Sequence, residues 1–306
     1  MFFCAFVSFA LPLLALKWMR FWLSMKGVLV EMKRIKAIVP IVILCCVLSF
    51  SAVACLWGAE TTLKADALSY NPATKKMVAT GNVRLIRADG ELSGQRGEGD
   101  VGANHFLMEG SVRGKFPKEG ISLESDILEL TISNDRKILE GRGNVRLLRG
   151  EDRLNADKVR WVIGEDSYRG VGNVIARFET HSIDADEVAR DGERFWGKGV
   201  HRYEDKKQRF TLKANKINGI IRNNDVKELI AEGGLSMRMI GKQEKPLTIT
   251  GKKGVYSKDR GTLVVSGGAR AVQDDRVVEA ENLVLHLDSK RIEALGKPQI
   301  TFTLQD

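Results

Sequence analysis

Ser125-Asp126-Ile127-Leu128-Glu129-Leu130-Thr131-Ile132 reads as a strand with one apolar face. Leu128, Leu130 and Ile132 alternate with Glu129 and Thr131, and a period of two is the mark of a half-buried strand. A polar turn follows, Ser133-Asn134-Asp135-Arg136, and then a second strand that closes on Gly143-Asn144-Val145. The next unit repeats the plan, from Asn155-Ala156-Asp157 through Val159, Trp161 and Ile163 to Gly172-Asn173-Val174.

The unit recurs along the whole chain after residue 59. It opens on an Ala-Asp type of step and closes on a Gly-x-Val type of step. The closing steps stand at Gly81-Asn82-Val83, Gly110-Ser111-Val112, Gly143, Gly172, Gly199-Val200, Gly233-Gly234-Leu235, Gly268-Ala269 and Gly296. Their spacing of roughly 31 residues lies within the range of stacked repeats. Two strands in each of about eight units predict some sixteen strands. Hairpin-like turns such as Asn71-Pro72-Ala73-Thr74 favour antiparallel pairing. A parallel β-helix, as in a carbohydrate-active enzyme or an adhesin, is the competing architecture. Helix signals are scarce; Val226–Glu232 is the stretch that reads as a turn or two of helix.

Composition divides the 306 residues at the same place. All four cysteines (Cys4, Cys45, Cys46, Cys55) precede residue 56, with half of the twelve Phe and three of the five Trp. Beyond residue 59 the chain is cysteine-free, which excludes a disulfide scaffold or a thiolate metal site there. Much of the +9 net charge also belongs to the first segment, with Lys17, Arg20, Lys26, Lys33, Arg34 and Lys36 against Glu31. The remainder is a near-balanced surface with no basic block, so nucleic acid is not an expected partner.

Residues 1–59 read as a hydrophobic leader. Met32-Lys33-Arg34-Ile35-Lys36 is a basic n-region, residues 37–57 are uncharged, and Ala52-Val53-Ala54 offers small residues for cleavage. Residues 1–31 then read as an extension ahead of the true start. The segment 32–59 serves as a signal peptide, a retained anchor or, through Cys55, a lipidation site. Either way residues 60–306 form one exported domain.

No constellation points to catalysis, and no cofactor is expected. Gly97-Glu98-Gly99-Asp100-Val101-Gly102 matches G-x-G-x-x-G literally, but two acids and no following helix make it a turn. The four histidines lack ligand spacing, and His181 and His201 read as surface turn residues. Asp66, Asp126, Asp157 and Asp186 recur at one place in successive units, so their role is structural. The chain has no Walker-type loop to use ATP itself.

Ala65-Asp66-Ala67-Leu68-Ser69-Tyr70 with Val78-Ala79-Thr80-Gly81-Asn82-Val83 resembles the OstA-like family, which includes LptA, LptC and the soluble domain of the outer-membrane translocon. Asn155-Ala156-Asp157…Gly172-Asn173-Val174 carries the same pattern. The resemblance implies an all-β fold, a V-shaped antiparallel β-jellyroll (β-taco). It implies a periplasmic protein that conveys lipopolysaccharide or a related lipid from the inner to the outer membrane. Its partners would be other OstA-like domains of an export bridge and, indirectly, an inner-membrane ABC transporter complex. A soluble domain of an outer-membrane translocon is a further reading.

An acyl chain of 14 carbons left in water costs on the order of 10 kcal/mol, so such a carrier needs an apolar trough. The inward positions that would line it are Leu128, Leu130, Ile132, Val145, Leu147, Val159, Trp161, Val174, Leu212, Met237, Met239, Val265 and Leu285. They suit either a packed sandwich core or a partly open groove. Few aromatics and small inward residues (Ala176, Ala214, Ala271) fit the groove. The uncharged last strand, Gln299–Gln305, is a candidate for strand addition to the Thr61–Tyr70 strand of a neighbour. Leu63, Ala65, Ile300, Phe302 and Leu304 would carry that pairing.

Overall fold

The computed structural model describes residues 60–133, 136–239 and 245–303. The expectations for the leader and for Leu304 lie outside the described residues. Strands follow one another in hairpins: β1 (Thr61–Lys64), β2 (Ala67–Asn71), β3 (Lys76–Arg87), β4 (Gly90–Asp100), β5 (His105–Phe116) and β6 (Ile121–Ser133). Next come β7 (Arg136–Arg149), β8 (Asp152–Val162), β9 (Ser167–Arg177), β10 (His181–Asp191), β11 (Arg194–Asp205) and β12 (Phe210–Arg222). The last are β13 (Asp225–Met239), β14 (Leu247–Ser257), β15 (Thr262–Gln273), β16 (Arg276–His286), β17 (Ile292–Leu295) and β18 (Gln299–Thr301).

Every pairing is antiparallel, and from β3 to β16 each strand pairs with the next, which removes the parallel β-helix. At the ends, β1 and β2 pair with the two halves of β3, and β17 and β18 with the two halves of β16. Each pair acts as one edge strand broken in the middle, so the eighteen segments make the sixteen strands of eight two-strand repeats.

The break recurs inside every odd-numbered strand from β3 to β15. There the register slips where the strand carries its closing glycine step, as between Arg142 and Val145 of β7. Gly143 and Asn144 are both left-handed, with φ of +75° and +49°. Gly is the residue that adopts such angles freely, and Asn is the next most tolerant. The Asn144 side-chain amide donates to Asp126 Oδ2 at 2.9 Å. The same contact joins Asn82 to Asp66 and Asn173 to Asp157, each at 2.9 Å. At the fourth site His201 Nε2 meets Asp186 instead, also at 2.9 Å. Aligned across the sheet, these bulges form a crease that bends every strand. Layer A holds the halves from the crease to turns such as Ala88-Asp89; layer B holds the halves toward turns such as Val101–Asn104. The apolar faces of the two layers meet as one core.

Three local expectations change. Val226–Glu232 lies within β13, because pairing on both sides outweighs its weak helical preference. Gly97–Asp100 is the end of β4 rather than a turn. Side chains are missing there because Phe106 and Met77 fill the space; a Cβ on Gly97 would come within 2.7 Å of the Phe106 ring. The last strand ends at Thr301, leaving Phe302 unpaired and 54% exposed. Lys297 and Pro298 interrupt the pairing just before it, so little strand is left beyond the crease.

A Cβ on Gly143 would overlap Asp126 Oδ2, whereas Gly120, also left-handed, has open space around it. Gly143→Ala is expected to cost about 3 kcal/mol and Gly120→Ala about 1 kcal/mol. Urea unfolding of the two variants measures the difference; equal losses would mean that the crease contact is not specific.

Candidate functional site

Register determines what the inner face presents. In layer A, mutually paired residues run from Leu63 through Leu85, Leu92, Gly114, Leu123, Leu147, Leu154 and Ala176. The row continues through Ile183, Tyr203, Leu212, Met237, Ile249, Ala271 and Val278 to Ile300. The only polar side-chain atom in it is the Tyr203 hydroxyl, which is buried without a hydrogen-bond partner. Beside the crease in layer B, Met108, Leu128, Gly141, Val159, Gly170, Val188, Gly197 and Ile217 pair in succession. From Leu128 onward, large and small residues alternate there. The gaps admit side chains from the crease: a Cβ on Gly141 would come within 3.1 Å of Val145.

Leu128, Leu130, Val145, Leu147, Val159, Trp161, Val174, Leu212, Met237, Met239, Val265 and Leu285 all face this core and are buried. Ile132 packs against it partly buried. The two layers are in contact at these residues. The space between them includes a cavity of about 30 Å³ beside Trp161 and one of about 10 Å³ beside Met237.

An interior poor in aromatics is not what is found. Phe106, Phe116, Trp161, Phe195, Tyr203, Phe210 and Tyr256 are all buried. Phe116 of layer A meets Trp161 of layer B edge-on at 5.3 Å, and Phe210 meets Tyr256 at 5.9 Å. Several rings lie over glycines of the adjacent strand, as Phe195 does over its register partner Gly219. A low aromatic content therefore coexists with a filled core, because most of the rings point inward.

Opposite the crease the layers end at a mouth, and polar contacts cross it. Lys137, at the start of β7 in layer B, pairs with Asp89 in the β3–β4 turn of layer A. Burial acts to raise the Asp89 carboxyl, but hydrogen bonds from Lys137 and Arg87 outweigh it and hold the group below its ordinary range. Arg149, at the end of β7 in layer A, pairs with Asp166 in the β8–β9 turn of layer B at 2.9 Å. Thr180 of layer A donates its hydroxyl to the Asn224 carbonyl of layer B at 2.8 Å.

His181 sits just inside this mouth. It is 5% exposed, stacked on Phe178 at 4.5 Å and 3.1 Å from the Thr180 hydroxyl, so it is no surface turn residue. The sequence missed it because a solitary histidine at a strand start carries no sign of its burial. His201 lies within β11 and is exposed. Burial, reinforced by Arg190 and Lys206, depresses the His181 pKa to about 4. No group of three or more His, Cys, Asp or Glu among the described residues is arranged to hold a metal ion.

Residues 122–291 match the family model described as LptA/(LptD N-terminal domain) LPS transport protein. The chain belongs to this family of lipopolysaccharide-transport proteins. Among solved structures it is similar to LptH of Pseudomonas aeruginosa, described as the LptA-homologous periplasmic component of the lipopolysaccharide transport device. That similarity has 13% identity and a TM-score of 0.29, and covers 51% of this chain and 95% of the other. No curated protein matches.

The depressed His181 pKa fixes a pH window. Between about pH 6.5 and 4 the unfolded chain takes up a proton that the folded chain resists, so stability falls as pH drops through that range. The expected loss is on the order of 3 kcal/mol. Denaturant midpoints of wild type and His181→Phe should diverge across the window, with the variant the flatter. Parallel profiles would show that His181 is not held neutral.

Proposed function

We propose that this chain is a periplasmic carrier that moves lipopolysaccharide or a related lipid from the inner toward the outer membrane, with acyl chains held between the two layers. Family membership supports transport of this lipid class. The observation that carries the finer reading is the unbroken apolar row from Leu63 to Ile300, which crosses the whole sheet. A methylene group moved along such a row stays out of water at every step, at roughly 0.8 kcal/mol for each group kept buried. Because the layers touch, loading requires them to part at the mouth and pivot at the crease. Lys137–Asp89, Arg149–Asp166 and Thr180–Asn224 are the polar contacts that such parting breaks.

A diazirine-bearing side chain at Leu130, which faces the core, is expected to capture lipid in cells, while one at Glu129 on the outer face captures none. Equal capture at both positions, or none at Leu130, would refute carriage between the layers.

The edges bear on assembly. Leu68 and Tyr70 at one edge and Leu295, Ile300 and Phe302 at the other are each more than half exposed. Leu68, Tyr70 and Ile300 end apolar rows, and pairing with further copies or with other domains of the family would cover them. Ile300→Lys and Leu68→Lys should each reduce the mass of self-associated protein in light scattering. An unchanged mass for both variants would exclude edge pairing as the mode of self-association.

A further inference from the structure

One inner row of layer B contains a single charged residue. It runs through Phe106, Leu130, Leu139, Trp161 and Tyr168, then meets Arg190 before continuing at Phe195. The Arg190 side chain is only 12% exposed. A guanidinium in that position requires an anion, and Asp166 supplies one: its Oδ2 lies 2.5 Å from Arg190 Nη2. The other oxygen, Oδ1, takes Arg149 Nη1 of the opposite layer at 2.9 Å. A single carboxylate thus bridges two arginines across the mouth. Its turn is anchored by the Gly192 amide, which donates to the Asp166 carbonyl at 2.9 Å. Asp152 is a more distant partner of Arg149, at 3.7 Å.

Behind this bridge lies the cavity of about 30 Å³, with Leu147, Leu154, Trp161, Tyr168 and Phe178 in its wall. It has room for about one water-sized group. An apolar tail entering here therefore has to separate the layers, and the first contact to give way is the bridge.

We infer that Arg149 and Arg190 form a binding site for the phosphate of an anionic amphiphile, and that Asp166 occupies this site as an internal substitute until the ligand displaces it. The inference rests on the reading that the core accepts acyl chains and adds the headgroup chemistry. A phosphate monoester brings three oxygens and nearly twice the charge of a carboxylate, and guanidinium forks bind it in bidentate fashion. It therefore competes well for both arginines. Its arrival removes the Arg149–Asp166 ion pair that joins the layers at this point, just as its tail reaches the cavity.

Binding of dodecyl phosphate, dodecyl maltoside and inorganic phosphate to the full chain, by titration calorimetry below the micellar range, tests this. Asp166→Asn removes the internal competitor and is expected to tighten dodecyl phosphate by about tenfold. Arg190→Gln is expected to weaken it by about tenfold, as is Arg149→Gln, which lies at the more exposed rim and serves if the first variant folds poorly. Dodecyl maltoside should respond to none of the three. The inference fails if dodecyl phosphate is unaffected by these substitutions, or if the maltoside shifts with it. Inorganic phosphate binding as tightly as dodecyl phosphate would likewise overturn the assignment to a lipid headgroup. Failure of both amphiphiles to bind wild type would overturn the carriage reading itself.

Discussion

A sheet with one largely apolar face cannot stay flat in water, and this chain meets that constraint by folding the sheet along a single line. Each odd-numbered strand from β3 to β15 carries one extra residue, two standing opposite one of its neighbour, and the aligned insertions turn every strand at the same height. The acid-to-amide contact of Asp126 with Asn144, repeated by Asp66 with Asn82 and Asp157 with Asn173, holds that line. It supports a left-handed residue whose conformation costs roughly 1–2 kcal/mol. It also ties the bend of one strand to the preceding strand, so the crease propagates through the sheet.

The same arrangement divides the ways in which the layers are connected. At the crease they are joined covalently by every strand. At the mouth they are joined by packing and by a few polar contacts. Separation therefore pivots at the crease and starts at the mouth. Empty separation exposes apolar surface at about 25 cal/mol per Å² and is unfavourable. Separation around an acyl chain exchanges one apolar contact for another and avoids most of that cost. On this account the lipid is itself the wedge, and a closed core is compatible with carriage. The aromatic pairs that bridge the layers, Phe116 with Trp161 and Phe210 with Tyr256, are then the contacts replaced most reluctantly, because ring pairs gain beyond their area.

Much of the fold was legible because the chain repeats itself. Alternation identified Leu128, Leu130, Val159 and Trp161 as inward, and all four are buried. The recurrence of Asp66, Asp126, Asp157 and Asp186 at one place in successive units points to a structural role, and the first three take it up by accepting from Asn82, Asn144 and Asn173. Legibility failed where meaning depended on a neighbouring strand. The glycines at 97 and 99 looked like a turn, but they are gaps filled by a ring from β5. The buried state of His181 depends on Phe178, Phe195 and Tyr203, which no local pattern links. Arg190 carries no local sign of its place; only register, opposite Tyr168 and Phe195, puts it in the apolar row. The contacts across the mouth join turns from different repeats, and periodicity carries no information about them.

Repetition also constrains how the edges can be extended. β1 and β2 have the character of an even-numbered strand, with Ala65-Asp66 at the crease and the first half in layer A. β17 and β18 have the character of an odd-numbered strand, with Gly296-Lys297 at the crease and the last half in layer A. Antiparallel pairing of β18 with a second copy's β1 therefore sets layer A against layer A and continues the alternation of bulged and acid-bearing strands. Pairing of two like edges by a twofold axis sets layer A of one copy against layer B of the other. The crease would then be interrupted and the apolar rows crossed. Of the two geometries, only head-to-tail pairing would keep the row from Leu63 to Ile300 continuous from one copy into the next.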